Sequence, residues 1–190
     1  EFANKNIDLL RLNMSHLKIS ELNNHIKFIK KKTNCPICID TEGAQIRSKY
    51  KKRKFYEKKS LLYIEKNKNN VLGLYPDDIQ DKLKINDILN IGFEGLKVKI
   101  IKNNNKFLLA KVINEGYLEG NKGIHLENRK IKLKCLTEKD VEAVEIGKMH
   151  NINNFALSFT NTLKDVKYFN ELTGNKTNNI FKIETKQSIN

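Results

Sequence analysis

Polar residues that could bind an anion and a cation follow two apolar runs of the chain. Residues 11–16 read Arg-Leu-Asn-Met-Ser-His and end a run that begins at Ile7, and Asp40 and Thr41 end a second run over residues 37–39. Buried parallel strands present polar side chains at the carboxyl edge of a sheet or barrel, so both sets would meet there. The sequence therefore predicts a composite polar site at one edge.

Arg11 is the candidate anion ligand, because a guanidinium offers a fork of donors to phosphate or carboxylate. Asn13 and Ser15 alternate around Met14, so on an extended backbone their oxygens point to the same side. Together with Asp40 and Thr41 they would form an all-oxygen cage for a monovalent or hard divalent cation. The alternative is that Asn13 and Ser15 only cap a turn.

Lys182 and Glu184 form a second candidate pair near the end of the chain. They stand two residues apart at the end of a strand predicted over residues 180–183, and so share one face. A Lys beside a metal-binding carboxylate can stabilise an enolate or a transferring phosphoryl group. The alternative is a surface ion pair.

Other reactive residues give weaker indications. The four His residues show no metal-ligand spacing, and His16 could orient a loop. Cys35 and Cys38 form a C-x-x-C, but Cys38 lies inside an apolar run, which favours buried thiols over a redox pair. Lys122 lies in a short Gly-Asn-Lys-Gly turn that could contact a nucleotide phosphate.

The elements that must position these residues follow βαβ patterns at both ends of the chain. At the start we expect a strand over residues 7–12, a helix capped by Ser20 and a strand over residues 35–40. Such a unit implies parallel strands.

After Lys134 the alternation of helices and strands returns. Capping-box sequences at residues 137–140 and 162–165 each begin a helix, the helices stop at Gly147 and Gly174, and a strand over residues 155–159 lies between them.

The middle of the chain has a different pattern. Short β-like runs at residues 61–64, 97–101, 107–112 and 131–135 are separated by turns rich in Asn and Gly. We therefore predict β-α-β over residues 1–46, an inserted all-β domain over residues 47–133, and an incomplete α-β-α-β segment over residues 134–190.

Composition narrows the classes of function. The 190 residues include 39% hydrophobic residues, and no apolar window is long enough for a membrane span or has the pattern of a signal peptide. The net charge of +14 fits a nucleic-acid binder, but the basic residues are dispersed. The 26 Asn beside many Lys and Ile indicate A/T-rich codons, and a positive field also favours an anionic small molecule. Three cysteines without a disulfide framework fit a reducing cytoplasm.

The order of these motifs resembles the pyruvate kinase family. That family carries R-L-N-[FM]-S-H at the end of its second barrel strand, which residues 11–16 match fully. Its D-T-K-G-P-E-I-R is replaced by D-T-E-G-A-Q-I-R over residues 40–47. Its later motifs K-G-V-N-L-P-G, L-T-E-K-D, A-S-F and K-I-E correspond to residues 122–128, 136–140, 157–159 and 182–184.

The resemblance implies an α/β fold, a partial (β/α)8 TIM barrel carrying an inserted small β-barrel lid. It implies the glycolytic transfer of a phosphoryl group from phosphoenolpyruvate to ADP, giving pyruvate and ATP. Arg11 would bind the phosphate of phosphoenolpyruvate, and Arg47 would grip phosphate when the lid closes over ADP. Lys182 would stabilise the transferring phosphoryl group and the enolate.

The resemblance also implies two metal sites. The predicted K⁺ ligands are Asn13, Ser15, Asp40 and Thr41. Glu184 would hold Mg²⁺ or Mn²⁺, and Arg11, His16 and Lys122 are the predicted nucleotide contacts.

The chain departs from the family pattern at several places. Glu42, Ala44 and Gln45 replace a Lys, a Pro and a Glu, and the acidic D-D-G of the insert is not found. The usual basic residue after S-F is replaced within residues 160–162. These changes motivate an alternative, a degenerate protein that binds a phosphorylated ligand without turnover. A second alternative is a basic nucleic-acid-binding module.

The resemblance begins at the second barrel strand and stops after the fifth. We therefore expect a fragment of a cytoplasmic protein that is homo-oligomeric when intact, and we expect the fragment alone to be inactive.

Overall fold

The computed structural model describes residues 7–66, 68, 70–92, 95–104, 106–185 and 188–189. It divides the chain into two compact units. The α/β unit comprises Glu1–Ala44 with Leu133–Asn190, and the β unit comprises Gln45–Lys132. The sequence predicted domain boundaries after residues 46 and 133, and that assignment of domains stays a prediction.

The first segment of the α/β unit is a βαβ unit. Strand β1 spans Leu10–Asn13, helix α1 spans Ile19–Lys32, and strand β2 spans Ile37–Asp40. The predicted β2 start at residue 35 was too early, because Pro36 has no N–H to donate to a neighbouring strand. Helix α1 begins before Ser20, so this residue is not its cap, and Lys18 holds the N-cap position without a side-chain bond.

The β unit consists mainly of antiparallel strands. Its elements are β3 Ile46–Lys49, β4 Lys54–Tyr56, β5 Leu61–Glu65, β6 Gly73–Tyr75, α2 Ile79–Lys82, β7 Ile88–Ile91, β8 Leu96–Asn104, β9 Phe107–Asn114, β10 Gly116–Leu118 and β11 Gly123–Leu126. Seven of the described strands form one sheet in the order β5-β9-β8-β7-β11-β3-β6. A bridge pairs Ile64 of β5 with Leu72, the residue directly before β6. The first and last strands in the sheet order therefore come together, and the sheet nearly closes into a barrel.

Burial alternates along the strands of this barrel. In β8, Leu96, Val98 and Ile100 are buried while the intervening lysines are partly exposed. This period of two is the pattern that the sequence shows for strands. The predicted strand over residues 131–135 was wrong: the apolar alternation is present, but no neighbouring strand of the described residues pairs with it.

The second segment of the α/β unit adds two helices and two strands. Helix α3 spans Glu138–Met149, strand β12 Asn154–Leu157, helix α4 Leu163–Thr173 and strand β13 Asn178–Phe181. Both predicted capping boxes are present, at Thr137 with Asp140 and at Thr162 with Asp165.

Helix α3 does not stop at Gly147, as the sequence predicted. A Cβ at this position would lie 2.6 Å from Cδ1 of Ile39 and 2.9 Å from Cε1 of Phe155. The glycine therefore allows the helix to approach the sheet closely, and the helix ends at Met149 instead.

The four described strands of the α/β unit form a parallel sheet in the order β1-β2-β12-β13. The helices cover a core that lies against this sheet. Its buried residues are Leu12, Met14, Leu22, Ile26, Ile37, Ile39, Leu136, Ala143, Val144, Ile152, Phe155, Leu157 and Phe169. These observations confirm the predicted fold class, a partial parallel α/β barrel with an inserted β-barrel domain.

The helices of the described residues include none that is both long and apolar enough to cross a membrane.

Candidate functional site

The carboxyl ends of β1 and β2 lie side by side. Their register pairs Asn13 with Asp40, and β2 pairs on its other side with β12, where Ala156 faces Asp40. Asp40 is therefore on an inner strand, and it has no exposed surface. A carboxylate at such a position needs partners to offset the cost of its desolvation.

Three side chains satisfy the Asp40 carboxylate. Arg11 Nη1 lies 3.3 Å and Lys182 Nζ 3.1 Å from Oδ2, and Ser158 Oγ donates to Oδ1 over 3.0 Å. The Arg11 side chain is 58% exposed and that of Lys182 is 25% exposed, so both cations are anchored at one end and reach solvent. Arg11 and Lys182 therefore place two positive charges beside one buried carboxylate.

The loop after β1 does not continue the strand as far as the sequence suggested. Asn13 is the last residue of β1, and Ser15 lies in the following turn, where its N–H donates to Asn13 Oδ1 over 2.9 Å. The prediction that Asn13 and Ser15 share one face of an extended strand was therefore wrong. Asn13 caps the turn, as the alternative stated, and His16 N also donates to the Asn13 carbonyl over 3.1 Å.

Thr41 is held against β12. Its N–H donates to the Ala156 carbonyl over 3.0 Å, and its Oγ1 accepts the Ser158 N–H over 3.0 Å. The Ser158 hydroxyl also lies 2.6 Å from the Thr41 carbonyl oxygen. Because this hydroxyl has one proton, it shares that proton between Thr41 and Asp40.

The oxygens of these loops suit a monovalent cation. The Asn13 amide, the Ser15 hydroxyl, the Asp40 carboxylate and Thr41 offer neutral oxygens with one negative charge, which is the donor chemistry of a hard cation. Asp40 and Thr41 are buried and fixed, and Asn13 is fixed by its own turn. The residues present therefore suit K⁺ by type, and their role as its ligands stays a prediction.

Lys182 and Glu184 lie just beyond the end of β13, not on the strand as predicted. Strand β13 ends at Phe181, and Lys182 N then donates to the Leu157 carbonyl over 3.0 Å. Lys182 Nζ lies 3.8 Å from Glu184 Oε2, and the Phe159 N–H donates to the same oxygen over 2.9 Å. Phe159 has φ +54, an uncommon conformation for a bulky residue that recurs at functional sites.

The divalent-metal part of the prediction finds less support. Glu184 is a single carboxylate, and across the described residues there is no group of three or more His, Cys, Asp or Glu side chains arranged to hold a metal ion. The described part of the chain could therefore supply one carboxylate ligand of a Mg²⁺ site.

Two further predicted contacts, Arg47 and Lys122, lie in the β unit. Arg47 is on β3, and its Nη1 donates to the Asn121 carbonyl over 3.3 Å. Lys122 Nζ lies 2.9 Å from Glu119 Oε2, and the Lys122 N–H donates to Ser48 Oγ over 2.9 Å. Both are held within that unit, and their roles towards phosphate and nucleotide stay predictions.

Several residues that organise the site were missed by the sequence reasoning. Ser158 lies in the matched A-S-F motif, but no role followed from the motif itself. Lys139 and Asp140, on the first turn of α3, bond to the loop after β2, where Glu42 accepts from Lys139 over 2.7 Å. The capping box at residues 137–140 was recognised, but its contacts with a distant loop leave no sequence signal.

Two buried ionisable groups have altered pKa values. Burial, with a smaller contribution from Asp40, raises the pKa of the Cys38 thiol to about 11. Burial also raises the pKa of Asp140, although three backbone hydrogen bonds act in the opposite direction. Cys38 is therefore a neutral structural thiol, and all three cysteines are free.

The family described as pyruvate kinase, barrel domain, matches this chain over residues 1–190. Among curated proteins, the pyruvate kinase of Buchnera aphidicola subsp. Schizaphis graminum (strain Sg) is 31% identical over 198 residues, covering 96% of this chain and 41% of that protein. The pyruvate kinase of Staphylococcus aureus (strain USA300) is 28% identical over 206 residues, covering 100% of this chain and 35% of that protein. The chain thus spans well under half the length of these relatives.

Proposed function

We propose that the whole protein transfers a phosphoryl group from phosphoenolpyruvate to ADP, because this chain belongs to the pyruvate kinase barrel-domain family. The observation that carries the proposal is the meeting of Arg11 and Lys182 at the buried carboxylate of Asp40. Two anchored cations that reach solvent suit a substrate whose phosphate and carboxylate are both negative.

The two cations would act differently. Arg11 is more exposed and presents a planar fork, so it would bind and orient the phosphate. Lys182 is a compact ammonium between Asp40 and Glu184, and it would stabilise the charge that develops on the transferring phosphoryl group and on the enolate. The buried Asp40 would keep both cations in place before substrate arrives.

The Asn13, Ser15, Asp40 and Thr41 oxygens are the proposed K⁺ ligands. When bound there, K⁺ would supply one positive charge to the proposed anion site. Glu184, oriented by the Phe159 N–H, is the proposed single Mg²⁺ or Mn²⁺ ligand of this chain.

The residues proposed to contact the nucleotide are assigned from the family resemblance. Arg47 would contact phosphate from the β unit, and Arg11, His16 and Lys122 would contact ADP or ATP. The inserted β unit would serve as a lid that excludes water.

A second candidate function is phospho-ligand binding without turnover. Glu42, Ala44 and Gln45 stand where the family has a Lys, a Pro and a Glu, and the insert lacks the acidic D-D-G motif. A protein of this kind would keep the Arg11 and Lys182 anion site but would not complete the transfer.

A coupled assay on the whole protein distinguishes the two functions. Phosphoenolpyruvate, ADP, Mg²⁺ and K⁺ are supplied, and pyruvate formation is measured beside phosphoenolpyruvate binding by calorimetry. Lys182→Met should lower kcat by about 100- to 1000-fold, as expected for loss of one group that stabilises transition-state charge. Binding without pyruvate formation in the unaltered protein would favour the second function.

The matched control is Lys167→Met, which removes an exposed lysine from α4, away from the sheet edge. It should leave kcat and KM unchanged. An equal loss of kcat in both variants would contradict the role proposed for Lys182.

A further inference from the structure

The first turn of α3 contacts both loops that carry the proposed K⁺ ligands. Lys139 Nζ donates to the Met14 carbonyl and to Glu42 Oε1, the latter over 2.7 Å. Met14 lies between Asn13 and Ser15, and Glu42 directly follows Thr41. One ammonium therefore bridges the loop after β1 and the loop after β2.

This bridge is shielded from water. Glu42 is 7% exposed, and the Lys139 side chain is 23% exposed. The Thr137 hydroxyl donates to the second Glu42 oxygen over 3.4 Å. A pair buried in this way is screened by salt much less than a surface ion pair, so it can fix the geometry of the groups it joins.

Asp140, the next residue on the same turn, fixes only one of the two loops. Its carboxylate accepts the Glu42 N–H over 2.7 Å and the Gly43 N–H over 3.1 Å. Gly43 has φ +68, and a Cβ there would lie 2.3 Å from the Ser158 carbonyl oxygen. The loop after β2 is thus held by its backbone whether or not Lys139 is present.

The loop after β1 depends on Lys139 in a different way. Met14 is buried, and its carbonyl accepts from the lysine while the Ser15 N–H is occupied by Asn13 Oδ1. Removing the ammonium would leave the Met14 carbonyl without that donor. The turn would keep the bond from Met14 N to the Asp40 carbonyl over 2.9 Å, but it would lose the link through Lys139 to Glu42 and α3.

We propose that Lys139 is a positioning residue, which sets the spacing of Asn13 and Ser15 from Asp40 and Thr41 by joining the two loops through the Met14 carbonyl and Glu42. The inference rests on the proposed function for its consequence, because these four residues are the proposed K⁺ ligands. Lys139 itself touches no reacting atom.

The consequence is a selective loss of cation and substrate affinity. Residues that orient metal ligands through hydrogen bonds typically change metal affinity or activity by about 10- to 100-fold when altered. In the whole protein, Lys139→Met should raise the K⁺ concentration for half-maximal activity and the KM for phosphoenolpyruvate by about tenfold. The kcat at saturating K⁺ should change much less.

Lys139→Arg is the conservative rescue, because it keeps the positive charge and several N–H donors. It should restore most of the K⁺ response. Glu42→Gln removes one partner of the bridge and should give a smaller rise in the K⁺ requirement than Lys139→Met. The matched control, Lys167→Met, should leave the K⁺ response unchanged.

A second measurement needs no turnover. Hydrogen exchange of single amides, followed by NMR on the 190-residue chain, reports each loop separately. Lys139→Met should speed exchange at Ser15 and His16, while the amides of Glu42 and Gly43, held by Asp140, stay slow.

The two measurements separate the possible failures. If the unaltered protein forms no pyruvate but Lys139→Met speeds exchange at Ser15 and His16 only, the proposed function fails and the bridging role stands. If pyruvate forms and neither the K⁺ requirement nor the exchange of Ser15 changes, the bridging role is overturned. Should Lys139→Met lose its fold, with fast exchange everywhere, Glu42→Gln decides by the same two readouts.

Discussion

Asp40 is the residue around which the candidate site is built. A carboxylate with no exposed surface is costly unless it is paired and hydrogen-bonded, and Arg11, Lys182 and Ser158 meet that requirement. The same contacts hold the side chains of Arg11 and Lys182 at the sheet edge. The two cations that stabilise the buried Asp40 carboxylate are therefore the same two that are proposed to bind an anion.

Ser158→Ala tests how much the hydroxyl contributes to this arrangement. The change leaves Asp40 Oδ1 and the Thr41 carbonyl without that donor in a buried place. The free energy of unfolding should fall by about 1–3 kcal/mol, as for other unsatisfied buried groups, and urea denaturation would measure it.

Ser60→Ala is the control for that substitution. Its hydroxyl donates to the Glu57 carbonyl in an exposed turn, so the expected change is within about 0.5 kcal/mol. Equal effects of the two substitutions would refute a special role for Ser158.

Cys38 provides a chemical test of burial at the site. Its pKa, raised by burial first and by Asp40 second, is about 11, so the thiolate that alkylating reagents require is scarce at neutral pH. Iodoacetamide at about pH 8 should therefore modify Cys38 more slowly than the partly exposed Cys35, and mass spectrometry would measure both rates.

The difference between the two cysteines should disappear in urea, where both thiols are exposed. As pH rises towards the folded pKa of Cys38, its rate should also rise in the native protein. Rapid modification of Cys38 in the native protein near neutral pH would contradict its burial.

At the scale of the elements, α3 is both a core helix and a support for the site. Its capping box at Thr137 and Asp140 begins the helix, and the same Asp140 holds the loop after β2. At the other end of the helix, Gly147 allows close contact with Ile39 and Phe155. One helix therefore links the packing of the sheet to the loops at its edge.

Gly147→Ala tests this close contact. In an exposed helix interior the change would stabilise by about 1 kcal/mol, but the new methyl group would meet Cδ1 of Ile39 at 2.6 Å. Overpacking of this kind typically costs about 1–3 kcal/mol, so we expect a net loss of stability in thermal or urea unfolding.

Glu142→Ala, on the exposed side of the same helix, is the control, and it should change stability by less than about 0.5 kcal/mol. A stabilising effect of Gly147→Ala would contradict the close contact, because it would mean that a methyl group fits between the helix and the sheet.

At the scale of the whole molecule, the chain divides into two compact units, and each contains buried hydrophobic residues. The β unit has a nearly closed sheet with alternating burial, and it contains its own buried residues. A domain with its own core can fold alone. We therefore expect residues 45–132, expressed alone, to unfold in one cooperative transition in urea.

Leu108→Asp in the isolated β unit is the companion variant, since Leu108 is buried in β9 and a charge there lacks a partner. It should abolish the cooperative transition. Gradual, non-cooperative unfolding of the unaltered β unit would mean that it depends on the rest of the chain.

Some features of this protein were readable from neighbouring residues alone. The two capping boxes, the alternating strands β5, β8 and β9, and the polar residues that end β1 and β2 follow from local hydrogen bonding and from periodicity. The family resemblance rested on the same local motifs. For this reason the fold class and the candidate residues at the strand ends could be proposed without a structure.

Other features depended on contacts between distant segments. The sequence suggested that Gly147 stops a helix, that residues 131–135 form a strand and that Lys182 lies on one, and the structure corrected each of these predictions. Strand pairing and helix packing, which decide these points, are set by register and shape across the fold.

The sequence by itself determined which chemical groups stand at the ends of the strands, because strand ends and caps are local. Only the tertiary structure decided that Ser158 shares its proton with Asp40 and Thr41, and that Lys139 joins two loops. Those contacts join segments that are far apart along the chain, so no local pattern records them, and only the packed arrangement of β2, β12 and α3 creates them.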